Sequence, residues 1–179
     1  MPSILRLYLD IALLRRGPQD VPVSPRLLWG TLAAFLAINA ALTAAFRPAG
    51  ADWVGQLLVS AAFTLLWYRL LLQAFGRVER YQQTVTAVLG FGCVVAPVIV
   101  PLAGRLVAYA EKPEEAMPLM LVLLPLAGYL IYVSARILHA AIERPMFQCV
   151  ALVLLQTFLE PLLLATLFGP GTPPAAAAG

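Results

Sequence analysis

LLWGTLAAFLAINAALTAAF, residues 27–46, carries no charged side chain and is interrupted only by Gly30, Thr31, Asn39 and Thr43. An α-helix of ~20 residues rises about 30 Å, the thickness of a bilayer's hydrocarbon core. Backbone exposed to lipid must satisfy its hydrogen bonds within the segment, so this stretch is predicted to be a membrane-spanning helix. Four further stretches qualify on the same grounds: 54–75 with Arg69, 84–104 with Pro97 and Pro101, 117–135 with Pro125, and 146–168 with Glu160 and Pro161. The predicted fold class is all-α, a polytopic membrane bundle of five transmembrane helices with an N-terminal amphipathic interfacial helix. Composition agrees. The chain has 179 residues, 61% hydrophobic and 12% charged, against roughly 45–50% and about 25% in soluble domains. One membrane domain, residues 27–168, takes up most of this length and leaves no room for a soluble catalytic domain.

The flanks read differently. Residues 1–26 form a predicted cytoplasmic arm and proline-rich linker. SILRLYLDIALLRR, residues 3–16, lacks a positive charge ahead of its apolar part, is interrupted by Asp10, and is followed by no small-residue cleavage site. It is therefore not read as a secretion signal. A helix here gathers Ile4, Leu7, Tyr8, Ile11 and Leu14 on one face, which suits a helix lying at the inner membrane surface. A helix bound to a partner is the second reading. GPQDVPVSP, residues 17–25, ends it, because three prolines and a glycine do not continue a helix. The tail GPGTPPAAAAG, residues 169–179, is low-complexity and expected to be disordered.

Basic residues set the expected orientation. Arg6, Arg15, Arg16 and Arg26 precede the first span, Arg77 and Arg80 separate the second from the third, and Arg136 and Arg144 the fourth from the fifth. The other side holds Arg47, Arg105 and Lys112, offset by Asp52, Glu111, Glu114 and Glu115. Arginine and lysine favour cytoplasmic loops, so the N-terminus is predicted inside and the C-terminus periplasmic. The alanine- and arginine-rich, lysine-poor composition points to a bacterial inner membrane. A net charge of +3 with scattered basic residues argues against nucleic-acid binding.

Polar residues within spans are the first place to look for function, since each carries a desolvation cost. Arg69 lies about six residues from the inner end of its span, or ~9 Å; it either snorkels to the interface or serves as a buried counter-ion. Glu160 sits near or beyond the midplane and is too short to snorkel far. An ionised carboxylate there costs ~2.5–3.5 kcal/mol or more. Pairing with Arg69 is disfavoured by a depth difference of ~12 Å. Matched depth instead predicts a midplane polar cluster of Asn39, Tyr129, Gln156 and Glu160, acting as interhelical contact or as a proton or substrate site. Interior prolines at four positions mark broken helices of the kind that build transporter sites, or ordinary kinks in a passive bundle. Small residues, Gly90 and Gly92 or Ala33 and Ala37, allow close helix approach without saying whose helix approaches.

Few residues offer chemistry. His139, beside Arg136, Glu143 and Arg144, is read as part of a solvated loop. Cys93 and Cys149 lie in apolar runs and are read as packing residues; with one histidine they make no metal site, and no cofactor is expected. At the cytoplasmic face Arg15, Arg16, Arg77, Arg80 and Tyr81 are the candidate contacts to lipid headgroups or to a partner's acidic residues.

The stretch LLLQAFGRVERYQQTVTAVLGFGCVVAPVIVPLAG, residues 70–104, resembles the Yip family of small five-span membrane proteins, with Gly76, Gln83, Thr84, Pro97 and Pro101 in the places of that family's turn, polar patch and proline-interrupted span. The resemblance implies a five-helix bundle behind a cytoplasmic N-terminal segment, and a protein that is not an enzyme. The trafficking role of eukaryotic relatives is not carried into a bacterial setting. The expected partners are the lipid bilayer and other membrane proteins or further copies of the chain. The expected function is that of a scaffold, assembly or regulatory subunit of a membrane complex. The alternative is a transporter or channel subunit with its site around Glu160.

Overall fold

Among the described residues there are six α-helices and no strand, and five of the helices are long and apolar enough to cross a membrane. The computed structural model describes residues 4–46, 52–109 and 113–169; Arg47, Glu111, Lys112 and the tail beyond Gly169 lie outside them. The helices are α1 Ile4–Ala12, α2 Pro25–Phe46, α3 Trp53–Ala74, α4 Tyr81–Ala108, α5 Pro113–Ile142 and α6 Met146–Phe168. Single 3-10 turns at Pro18–Asp20 and Val78–Arg80 fill two of the connections. Helices α4 and α5 run further than the apolar stretches 84–104 and 117–135 alone indicate. Their extensions carry Tyr81, Gln82, Gln83, Glu114, Arg136 and His139, residues suited to the headgroup layer, where a helix continues although its apolar run has ended.

Helix starts follow local chemistry. Ser24 caps α2 by accepting the Leu27 amide at 3.4 Å, with Pro25 in the first helical position, where its missing N–H is no loss. Asp52 caps α3 through the Gly55 amide at 3.1 Å. Helix α3 ends in a turn that needs its glycine: Gly76 has φ +67°, and the Arg77 amide reaches back to the Leu72 carbonyl at 2.7 Å. Two other helix ends adopt the same left-handed backbone without glycine, at Leu14 after α1 and at Glu143 after α5. For Leu14 that geometry costs about 1–2 kcal/mol, held in place by the Arg15 amide bonding to the Asp10 carbonyl at 2.8 Å.

Helix α4 lies at the centre, packed against α1, α2, α3 and α5, while α6 closes against α3 and α5. Its central place follows from its small residues. The ring of Tyr8 in α1 lies directly over Gly90, and the ring of Phe35 in α2 over Gly92, where an added Cβ would meet it at 2.7 Å. Glycines thus admit two neighbours of this same chain, whereas Ala33 and Ala37 are exposed on the outer side of α2. Helices α2, α4 and α6 begin at one end of the bundle, where α3 and α5 finish. Arg80 at the start of α4 accordingly meets Glu143 just after α5, and Phe168 at the end of α6 meets Gly55 at the start of α3. The prolines at 97, 101, 118, 125 and 161 all lie inside unbroken helices. Of the two readings of the interior prolines, that of broken helices does not hold, since the helices continue through them.

The N-terminal helix is amphipathic as the sequence indicates, but its inner face meets protein. Leu7, Tyr8, Ile11 and Ala12 are buried, forming one core with Ala87 and Phe91 of α4 and Val133 and Ile137 of α5. Its other face, with Leu5, Leu9 and Leu13 exposed, is also apolar and spaced by one helical turn. Such a helix packs on the bundle with one face and presents the other to lipid. Ile4, expected on the inner face, is exposed, and Leu14 takes part only at the margin of the core. The second core joins α2, α3, α4, α5 and α6 around Tyr68, Leu72, Val85, Leu89, Leu138 and Cys149.

Candidate functional site

The described polar chemistry concentrates at the end of the bundle where α1 docks. Glu143, following α5, accepts from Arg77 at 2.5 Å and from Arg80 at 2.6 Å, so one carboxylate joins the α3–α4 turn to the α5–α6 turn. Arg80 also donates to the carbonyls of Ala140 and Ala141, at 3.0 and 3.3 Å, which are orphaned by the end of α5. These contacts hold the Glu143 carboxyl below the usual carboxylate range, the Arg80 hydrogen bond first and the charges of Arg77 and Arg80 next. Reading the region around His139 as a plain solvated loop is corrected here. His139 Nδ1 donates to the Arg144 carbonyl at 2.6 Å, the donor role following because a carbonyl only accepts. Arg144 in turn lies over the Phe75 ring, 5.4 Å from its centroid.

The linker is bound into the same end. Val21 is buried and its carbonyl accepts from Gln83 Nε2 at 3.0 Å, while Gly17 N–H donates to Asp20 at 2.9 Å and closes the 3-10 turn. Tyr8 Oη hydrogen-bonds Thr31 Oγ1 at 2.5 Å, and Thr31 donates to the Leu27 carbonyl at 2.8 Å. Two cavities of roughly 400 Å³ each flank the Pro18–Asp20 turn. One is bordered by Arg15, Arg16, Arg136 and His139, the other by Arg80, Gln83, Thr84 and Glu143, and both touch Pro18, Gln19 and Ala140.

The sequence-predicted residues distribute as follows. Arg77 and Arg80 are brought together by Glu143. Tyr81 donates to the Leu65 carbonyl at 3.3 Å and lies under the guanidinium of Arg69, 5.5 Å from the ring centroid. Arg69 thus leans toward the docking end of the bundle and away from Glu160. Arg16 pairs with Asp10 at 3.4 Å, and Arg15 borders the first cavity.

The four residues of matched depth each bond elsewhere or not at all. Asn39 donates to the Phe35 carbonyl of its own helix at 2.8 Å, and Tyr129 donates to the Ala12 carbonyl at the end of α1. Glu160 accepts from Ser60 across the α3–α6 contact. Gln156 shares a helix face with Glu160, one turn away, and its side chain has no hydrogen-bond partner among the described residues. Depth alone could not assemble them, because helix rotation decides which way each points. Ser60, the partner that sequence reasoning missed, had a signal: Gln56, Ser60 and Thr64 recur every fourth residue and so share one face of α3. Among the described residues no group of three or more His, Cys, Asp or Glu side chains could hold a metal ion.

These features define the class: an all-helical, polytopic integral membrane protein. Compared with family models, curated proteins and solved structures, the chain matches none.

Proposed function

We propose that the chain is a non-enzymatic scaffold, assembly or regulatory subunit of a larger membrane complex, seated in a bacterial inner membrane with its N-terminus cytoplasmic. The observation that carries this reading is the fixed platform at the α1 end. The arm, the linker and two interhelical turns are held together there by Arg77, Arg80 and Glu143, by Gln83 and Val21, and by Tyr129 and Ala12. Ordering a terminal arm costs ~1–2 kcal/mol of backbone entropy per residue, and a pre-ordered charged face suits a partner that must be recognised repeatedly. Positive residues cluster on this face, which supports its cytoplasmic placement. The Yip-like stretch 70–104 coincides with one of the platform's turns and with the central helix, in keeping with a non-enzymatic role. The test is purification of the tagged full chain in native lipid patches. A stoichiometric partner that survives stringent washing and is released by Glu143→Gln supports the platform; recovery of the chain alone, as monomer or homo-oligomer, overturns it.

A second reading has one observation in its favour. Glu160 and Ser60 form a hydrogen-bonded pair between α3 and α6 within the spans, and a carboxyl at such depth is costly unless used or paired. In this reading the chain is a transporter or channel subunit. Loss of proton-linked uptake in Glu160→Gln at unchanged protein level favours it; unchanged uptake removes it.

A further inference from the structure

We propose that the cavity between the linker turn and the end of α5 binds the phosphate of an anionic membrane lipid. This inference stands apart from the platform reading, since it needs no protein partner. The cavity holds about 400 Å³ and is bordered by three arginines, Arg15, Arg16 and Arg136, against one carboxylate, Asp20. Arg16 is paired with Asp10, and Asp20 already accepts the Gly17 amide. The guanidinium groups of Arg15 and Arg136 have neither hydrogen-bond nor ionic partner among the described residues, although they approach one cavity from two elements, the arm and α5. Arg77 and Arg80 next to it are committed to Glu143. His139 also borders this cavity, with its Nδ1 taken by the Arg144 carbonyl.

Guanidinium groups match phosphate oxygens in geometry and charge. Soluble phosphate esters and lipid headgroups share that chemistry; the rest of the cavity favours the lipid. Leu14 and Ile137 border it beside the arginines, and the outer stripe of α1, Leu5, Leu9 and Leu13, leads away from it as exposed apolar surface. A headgroup can therefore sit among the arginines while its acyl chains follow α1. Basic pockets between helices at a membrane face bind acidic headgroups in this manner.

The test is native mass spectrometry of the full chain released from nanodiscs containing phosphatidylglycerol or phosphatidylcholine. The wild type is expected to retain one phosphatidylglycerol, and the Arg15→Gln/Arg136→Gln double variant to bind it about thirtyfold more weakly. An Arg26→Gln/Arg105→Gln control, which removes the same charge from exposed positions outside the cavity, is expected to bind as the wild type does. Displacement of the lipid by soluble glycerol 3-phosphate at millimolar concentration would assign the site to a soluble ester and overturn the lipid assignment. Equal retention of phosphatidylcholine, or equal loss in the control variant, overturns the proposal.

Discussion

The docking of α1 onto α4 depends on the absence of a side chain at Gly90, and this can be measured. A Cβ placed there would clash with the Tyr8 ring at Cδ1 and Cε1. The ring cannot rotate freely out of the way, because its hydroxyl is tied to Thr31 and Tyr8 is only 6% exposed. Gly90→Ala must therefore push α1 outward, and overpacking of this kind costs about 1–3 kcal/mol. Helix propensity works the other way, favouring alanine by ~0.8–1.0 kcal/mol, but it acts on α4 in both the docked and undocked arm and so cancels for docking. The docking equilibrium should weaken by about 5- to 150-fold, the equivalent of that energy. Hydrogen exchange of the α1 amides in detergent reads this as an equal loss of protection. In a Tyr8→Ala background the same Gly90→Ala change should be nearly neutral, because no ring remains to be displaced. Equal cost in both backgrounds would refute the reasoning, as would unchanged protection in the single variant.

Two further outcomes follow from named contacts. Because its folded carboxyl is held below the ordinary range, Glu143 contributes stability that is complete above the unfolded value and is lost as pH falls through the folded one. Thermal unfolding in detergent should thus show a melting temperature that declines on acidification through and below the usual carboxylate range. The Glu143→Gln variant should lack that part of the decline; identical pH profiles would contradict it. Tyr129→Phe removes the hydroxyl that satisfies the Ala12 carbonyl at the end of α1, with an expected cost of about 0.5–1.5 kcal/mol. Faster exchange confined to residues 4–21, with the spans unaffected, is the expected reading, and uniform protection would show the bond to be inconsequential.

Much of the helical architecture was legible because lipid imposes it. A charge-free run such as 27–46 has one solution in hydrocarbon, and the alternation of arginine-rich loops signals how successive spans reverse. What the sequence left open was rotation. Asn39, Tyr129, Gln156 and Glu160 lie at similar depths, yet depth carries no azimuth, and their partners are Phe35, Ala12 and Ser60. Charge pairing between turns was equally hidden: Glu143 stands among basic neighbours in the chain, and only the return of α5 beside α4 brings it to Arg77 and Arg80. Gly90 and Gly92 signalled close approach, but the identity of the approaching helix came from the fold. Their neighbours proved to be one span and the arm itself.

The placement of Tyr129 against Ala12 has a temporal side. These partners are 117 residues apart, and the cleft that receives α1 has α5 as one of its walls. During synthesis the arm can meet α2 and α4 once the third span has been made, but its cleft lacks the α5 wall until the fourth span has returned beside the third. Only then can Tyr129 reach the Ala12 carbonyl and Val133 and Ile137 close over the arm, so its full seating requires four spans. A chain truncated before α5 would keep its first three spans yet leave the α5-facing side of its N-terminal helix uncovered, an apolar surface by which quality-control proteases could distinguish unfinished copies from finished ones.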